Sequence, residues 1–309
     1  MKSIKDVRIV FMGTPDFAVA SLKKLLDNGC NIVGVITAPD KPAGRGLTTQ
    51  QSAVKQYATE NNLHILQPEK LKNPEFLEDL IKLHADVQVV VAFRMLPELV
   101  WNMPPMGTIN VHGSLLPQYR GAAPINWAII NGEKETGVTT FRLQHAIDTG
   151  DILLQTKLPI AENENAGELH DEMKEAGADL LLETLTGICK NSIQPLSQSF
   201  SSETKHAPKI NTSTCEINWN KTVEEVHNLI RGLSPVPAAF TTLNSRKLKI
   251  YRVVKIITAH NNTPGEYTTD HKTYLRFACI NGWVEVLELQ AEGKKKLQVA
   301  EFLRGYRFT

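Results

Sequence analysis

The chain has little of what marks a secreted, metal-stapled or membrane-spanning protein. Four cysteines are spread over 309 residues, at positions 30, 189, 215 and 279, with no C-x-x-C pair and no short metal-type spacing. That argues against a zinc site and a disulfide framework; isolated cysteines more often serve as small buried hydrophobes. No run of ~18 apolar residues occurs, so no membrane span is expected. The opening MKSIKDVRIVFMG carries charges and then one short apolar run, which reads as a first strand and not as a secretory h-region. Residues 12–17 read MGTPDF, not G-x-G-x-x-G, and no Gly-Lys-Ser/Thr follows the glycines of residues 41–46. A dinucleotide cofactor and a Walker loop are therefore not expected. A reducing, cytoplasmic setting fits these absences.

An excess of charge of one sign is also lacking: 34 Lys+Arg against 33 Asp+Glu give a net of +1. Its distribution is uneven. From Pro208 onward there are 15 Lys+Arg against 9 Asp+Glu, and the preceding part carries 19 against 24. Such asymmetry fits a domain that meets nucleic acid, or equally a solvated surface with uneven counts.

Hydrophobic residues make up 42% of the chain, enough for packed cores. The length fits two domains at ~100–200 residues each. Residues 7–12 (VRIVFM), 31–37 (NIVGVIT) and 86–93 (DVQVVVAF) are apolar runs suited to strands buried on both faces. Helical spacing over 17–26 and 54–61 alternates with them, which predicts a parallel sheet layered with helices. Residues 38–49 form a polar, Gly/Pro-punctuated loop. Further strands are predicted at 107–111, 137–143 and 151–160, with helices at 123–131 and 166–190. Residues 191–206 are Ser/Gln-rich and without apolar period, which reads as a linker. A helix over 223–231 and short strands at 247–257, 274–280, 283–289 and 296–300 then predict a small barrel.

Four clusters can carry chemistry. Asn110 and His112 are separated by one residue, so in a strand they share a face. At a strand's C-terminal end that face opens on the ligand crevice of an open α/β sheet. The pair can serve as an oxyanion-stabilising amide and a proton carrier, or as a cap and a satisfied core histidine. Asp148 and Asp151 flank a Thr-Gly turn; Asp148 can orient an imidazole or merely close an Asx turn. Residues 114–117 (SLLP) can wall a flat ring or form an ordinary loop. Lys41 and Arg45, in KPAGRG, can contact phosphates or project from a solvated turn.

Together these segments resemble the methionyl-tRNA formyltransferase family. The resemblance runs through MGTPDFA (12–18), KPAGRG, NVHGSLLPQYRGAAPINWAI, TGDIL, APKI (207–210), INW (217–219), IRGLSPVPAAF (230–240) and LQAEGKKKL (289–297). The central block is the part specific for formyltransferases that use 10-formyltetrahydrofolate. The resemblance implies an α/β architecture: a Rossmann-like parallel-sheet catalytic domain at 1–190, a linker at 191–207 and an OB-like β-barrel tRNA-binding domain at 208–309. It implies Asn110, His112 and Asp148 as catalytic residues, Ser114, Leu115, Leu116 and Pro117 as folate contacts, and Lys41 and Arg45 as tRNA contacts. Initiator methionyl-tRNA and 10-formyltetrahydrofolate are the implied substrates. No metal and no membrane are expected, and the chain is expected to be a monomer. Lys209, Lys247, Lys249, Lys294, Lys295, Lys296, Arg304 and Arg307 are the basic side chains expected to meet RNA. The chain departs from the family pattern at Ala146, Gln144, His145 and Arg94.

Overall fold

The structure is a computed structural model that describes residues 3–43, 48–199 and 203–306. Its contacts divide the chain into two compact units. One comprises Met1–Arg120, Gly137–Leu158 and His170–Lys205; the other comprises Gly121–Thr136, Pro159–Leu169 and His206–Thr309. Short excursions at 121–136 and 159–169 thus pack with the C-terminal region.

The elements follow in chain order: β1 (Arg8–Gly13), α1 (Asp16–Asp27), β2 (Asn31–Ile36), β3 (Lys41–Ala43), β4 (Thr48–Gln50), α2 (Ala53–Glu60), β5 (Ile65–Leu66), α3 (Pro74–Lys82), β6 (Val87–Val91), α4 (Glu98–Trp101), β7 (Thr108–His112), β8 (Arg120–Gly121), α5 (Pro124–Ile130), β9 (Glu135–Arg142), β10 (Ile152–Pro159) and α6 (Ala166–Cys189). The main sheet runs β10-β9-β7-β6-β1-β2-β5. It is parallel from β5 to β7, and β9 joins β7 antiparallel. The sheet is therefore mixed at the edge that carries β9, while its centre is parallel as the alternating pattern predicts.

The centre shows why the apolar runs read as strands. Ile9, Val10, Phe11 and Met12 of β1 have no exposed surface. Val10 and Met12 face one layer, packing with Ile36, Val90, Phe76 and Leu80, as the period of 2 requires. Helix α3 was not expected from the sequence, yet its signals are local. The Asn73 side chain caps it by accepting from the Glu75 amide, and Pro74 occupies its first turn. Its buried Phe76 and Leu80 each contribute roughly 1.5–3 kcal/mol. The loop expected over 38–49 contains a small ladder, β3 with β4, pairing Lys41 with Gln50 and Ala43 with Thr48.

The C-terminal unit continues with β11 (His206–Ala207), α7 (Thr212–Cys215), α8 (Val223–Leu233), β12 (Ala239–Leu243), β13 (Arg246–Ile257), β14 (Tyr267–Thr269), β15 (Leu275–Cys279), β16 (Gly282–Ala291), β17 (Leu297–Gln298) and α9 (Val299–Gly305). Its antiparallel sheet runs β12-β13-β16-β15-β14, with β17 on β16. The β13–β16 register slips at Ile250/Arg252 and again at Arg252/Val253. Such irregularities bend a strand, and the sheet curls as an open, OB-like barrel. Helix α8, closed by a Thr222/Glu225 capping box, contributes Val223, Val226, Ile230 and Leu233 to the barrel core. The strand expected at 296–300 is corrected: only Leu297 and Gln298 pair with β16, and Val299 opens α9. Val299, Phe302 and Leu303 are all buried, a helical spacing that overrides the short alternation.

Candidate active site

Strand β7 sits between β6 and β9, with Asn110 beside Val90 and Phe141 and with His112 beside Thr139. Asn110 and His112 therefore lie on one face at the strand's C-terminal end, as the spacing predicts. Asn110 is half-buried, and His112 is buried. The His112 Nε2–H donates to the Tyr119 carbonyl at 3.0 Å when that nitrogen carries the proton. Its Nδ1 faces Asp148, 3.9 Å from Oδ2. The imidazole edge meets the Phe141 ring.

Asp148 reaches this position from the loop between β9 and β10. Its φ is +53°, a left-handed conformation that Asp tolerates better than most residues. Gly150 allows the loop to close: a Cβ there would lie 1.6 Å from the Arg142 carbonyl oxygen. The Arg142 amide then donates to the Asp151 carbonyl at 3.0 Å. The buried Arg120 stands near Asp148; burial lowers its pKa, and the Asp148 charge partly counters this.

Residues 114–117 form a pinned segment. The Ser114 hydroxyl donates to the Gln118 carbonyl at 2.6 Å. Thr139 Oγ1 donates to the Ser114 carbonyl at 2.6 Å and accepts from the Leu116 amide at 3.1 Å. Gln155 Nε2 donates to the Leu116 carbonyl at 2.9 Å. Leu116 is buried against Phe141 and Ile152, leaving Leu115 and Pro117 half-exposed. Across the loop mouth, His145 Nε2 lies 3.2 Å from Glu98 Oε1 and its ring packs on Trp101. Met95, Leu99 and Ile147 are exposed apolar side chains on these same two segments.

Other candidates fall elsewhere. Lys41 is exposed on β3, and Arg45 and Arg307 lie outside the described residues. Lys247 lies over the Phe240 ring, Lys249 Nζ donates to the Pro237 carbonyl, and Lys296 pairs with Glu288. Lys209, Lys294 and Lys295 are exposed. Asp16, His170 and Asp171 come close enough to share an ion, a grouping invisible in the linear spacing. Lys174 Nζ already bonds Asp171 at 2.6 Å and lies 3.9 Å from Asp16.

Sequence reasoning missed Tyr119, whose carbonyl holds His112, and Gln198, which bonds the Asp148 loop. Neither carries a local signal: one acts through its backbone, and the other lies in a polar stretch read as a linker.

A mixed α/β sheet followed by an open antiparallel barrel is the architecture of a formyl transferase, and the sequence matches that class over both parts. Residues 7–185 match the formyl transferase family pattern, and residues 209–307 match the formyl transferase C-terminal domain. The chain belongs to the methionyl-tRNA formyltransferase family. It is 55% identical over 313 residues to the methionyl-tRNA formyltransferase of Phocaeicola vulgatus, covering 98% of this chain and 97% of the relative. It is 53% identical over 313 residues to that of Bacteroides thetaiotaomicron, covering 99% and 97%. The fold is shared with a sugar 3N-formyl transferase, WlaRD, crystallised with dTDP and 5-N-formyl-THF, at TM-score 0.68 and 24% identity over 94% of this chain and 99% of that one. It is also shared with an N-formyltransferase from Helicobacter canadensis in complex with folinic acid and dTDP-3-aminofucose, at TM-score 0.66 and 22% identity over 94% and 100%.

Proposed function

We propose that the protein transfers the formyl group of 10-formyltetrahydrofolate to the α-amino group of methionine on initiator tRNA, releasing tetrahydrofolate. The observation that carries this reading is the convergence of Asn110, His112 and Asp148 at the end of β7, on a chain whose near-full-length relatives bear the methionyl-tRNA formyltransferase name.

The chemistry needs little base. An α-amine has a pKa near ~7.7–8.0, so part of it is already neutral at pH 7. The amine attacks the formyl carbon, the new C–N bond forms, and the bond to N10 breaks. Negative charge develops on the formyl oxygen meanwhile. The Asn110 amide is placed to donate to that oxygen, a contribution of roughly 3–4 kcal/mol for a well-placed donor. The Tyr119 carbonyl fixes one ring nitrogen, which leaves the Nδ1 side of His112 and Asp148 to relay the amine's proton to N10. The half-exposed Leu115 and Pro117 offer apolar contacts for the folate.

In this reading residues 1–190 form the catalytic part, 191–207 the linker and 208–309 the tRNA-binding part. Lys41, Arg45 and the basic residues of the C-terminal part hold phosphates. The protein acts in the cytoplasm as a monomer; no helix among the described residues is long and apolar enough to cross a membrane. The test is transfer of a radiolabelled formyl group from 10-formyltetrahydrofolate to methionyl initiator tRNA by wild type and His112→Ala. Label on the methionine, lost in the variant, is expected. Folate turnover without labelled tRNA overturns the choice of acceptor.

A further inference from the structure

The stretch at 191–206 lacks any apolar period, yet residues 196–198 and 205 within it are bonded to the catalytic unit. Leu196 pairs with Ile152, each backbone amide donating to the other's carbonyl at 2.8 Å. The Ser197 hydroxyl donates to Asp151 Oδ1 at 2.9 Å. Gln198 makes the densest set of bonds. Its Nε2 donates to the Asp148 carbonyl at 3.0 Å and to the Gly150 carbonyl at 2.7 Å. Its Oε1 accepts from Arg120, from Nε at 3.2 Å and from Nη2.

One half-buried carboxamide thus uses both its ends on the two segments that frame His112. The donor end ties down the turn in which Asp148 holds its φ of +53°. The acceptor end holds the guanidinium that follows Tyr119, whose carbonyl receives the His112 Nε2–H. Further along the same stretch, the Lys205 carbonyl accepts from the Tyr119 amide at 2.7 Å, and the Lys205 amide donates to Gln118 Oε1 at 2.8 Å. A turn with Asp148 in the left-handed region is held only if its surroundings over-determine it. Gln198 supplies two of the bonds that do so.

We propose that Gln198 is a positioning residue for formyl transfer: it sets the placement of Asp148 opposite His112. This rests on the function proposed above. The side chain touches no reacting atom, so its removal acts on the chemical step and not on substrate capture. Misplacing a catalytic group by about an ångström can cost ~10²-fold in rate.

The experiment compares the full-length chain with Gln198→Leu and Gln198→Glu. Gln198→Glu keeps an oxygen for Arg120 but cannot donate to the two carbonyls. Both variants are expected to lose roughly ten- to a hundred-fold in kcat, with KM for folate and for tRNA within about threefold of wild type. A Gln198→Glu chain with wild-type kcat overturns the proposal, because the bond to Arg120 would then suffice. A kcat loss no larger than the loss of folded protein at the assay temperature, or one matched by an equal rise in KM, overturns it too. A second readout is independent of the reaction. In protein labelled with 15N-histidine, the His112 ring resonance, assigned by its loss in His112→Ala, is expected to move in Gln198→Leu. If wild type fails to formylate tRNA while that resonance moves, the positioning role stands and the proposed acceptor falls. If the resonance stays fixed in a well-folded variant, the positioning role falls.

Discussion

Nδ1 of His112 lies 3.9 Å from Oδ2 of Asp148 while Nε2 of the same ring is held at 3.0 Å by the Tyr119 carbonyl. The backbone acceptor fixes the ring, so the second nitrogen can face only the carboxylate. The separation exceeds a direct hydrogen bond but suits charge attraction or a bridging water. Asp148→Asn keeps the shape and removes the charge. It is expected to lower kcat by roughly 10²–10³-fold, the scale of a lost electrostatic stabiliser, with the thermal midpoint nearly unchanged. Single-turnover formyl transfer at saturating substrates measures this. A loss below about fivefold would remove Asp148 from the mechanism.

The same loop depends on Gly150. Because a Cβ at this position would fall 1.6 Å from the Arg142 oxygen, the loop must shift to admit any side chain. Gly150→Ala is expected to destabilise by roughly 1–3 kcal/mol, as overpacking does, and to lower kcat as well, since Asp148 lies two residues away. Urea unfolding and steady-state kinetics on one preparation check both. A variant that unfolds early yet keeps wild-type kcat would show that the loop adjusts without moving Asp148.

How far this architecture is legible in the sequence follows from where its information lies. The strand at Arg8–Gly13 is readable because every residue from Ile9 to Met12 is apolar and buried, as a strand covered on both faces requires. Helix α3 carries an Asn-Pro start and an apolar i, i+4 pair, and it was readable but unread. The end of the barrel was misread because Leu297 to Ala300 satisfies both periods over so few residues, and burial of Phe302 and Leu303 decides the matter. Asn110 and His112 are legible as a pair because strand geometry alone places them together. Asp148 is legible as a turn carboxylate, but its pairing with His112 is legible only through the family pattern, since its approach depends on Gly150 fitting beneath a carbonyl 8 residues upstream in sequence. Gln198 sits 50 residues from Asp148 and 78 from Arg120, and nothing in a polar stretch announces such contacts.

If the basic side chains of residues 41–45 and of the C-terminal part hold phosphates, tRNA affinity must depend steeply on salt. About six phosphate contacts would cost roughly 10³-fold between ~50 and ~200 mM salt. Arg45→Ala is expected to weaken binding and to reduce the slope of log K against log salt by about one. Filter binding of methionyl initiator tRNA across a salt series tests this. A salt-independent affinity would move recognition away from the phosphates.

A pH effect on stability should originate far from the catalytic residues, at His227 of α8. Its side chain is 3% exposed, and its Nδ1 is buried with no hydrogen-bond partner among the described residues. Burial is the main cause that pushes its pKa down to about 4; Lys255 and Arg231 add to this, and Glu224 and Asn228 oppose it. A folded pKa below the unfolded value means that the native state resists protonation. The associated stability is fully present above pH ~6.5 and is lost as pH falls from there through about 4. Glu225 is held to about 2 by Thr222 and Lys221, so its contribution is present above its ordinary value of 4.5 and is lost as pH falls from there through about 2. Between pH 6.5 and 4.5, one histidine of this kind accounts for roughly 2–3 kcal/mol. The discount for water reaching the site is small at such burial. Urea unfolding at several pH values is therefore expected to show wild type weakening over this interval. His227→Gln, which cannot be protonated, should hold nearly level. Parallel slopes in the two proteins would place the acid sensitivity elsewhere.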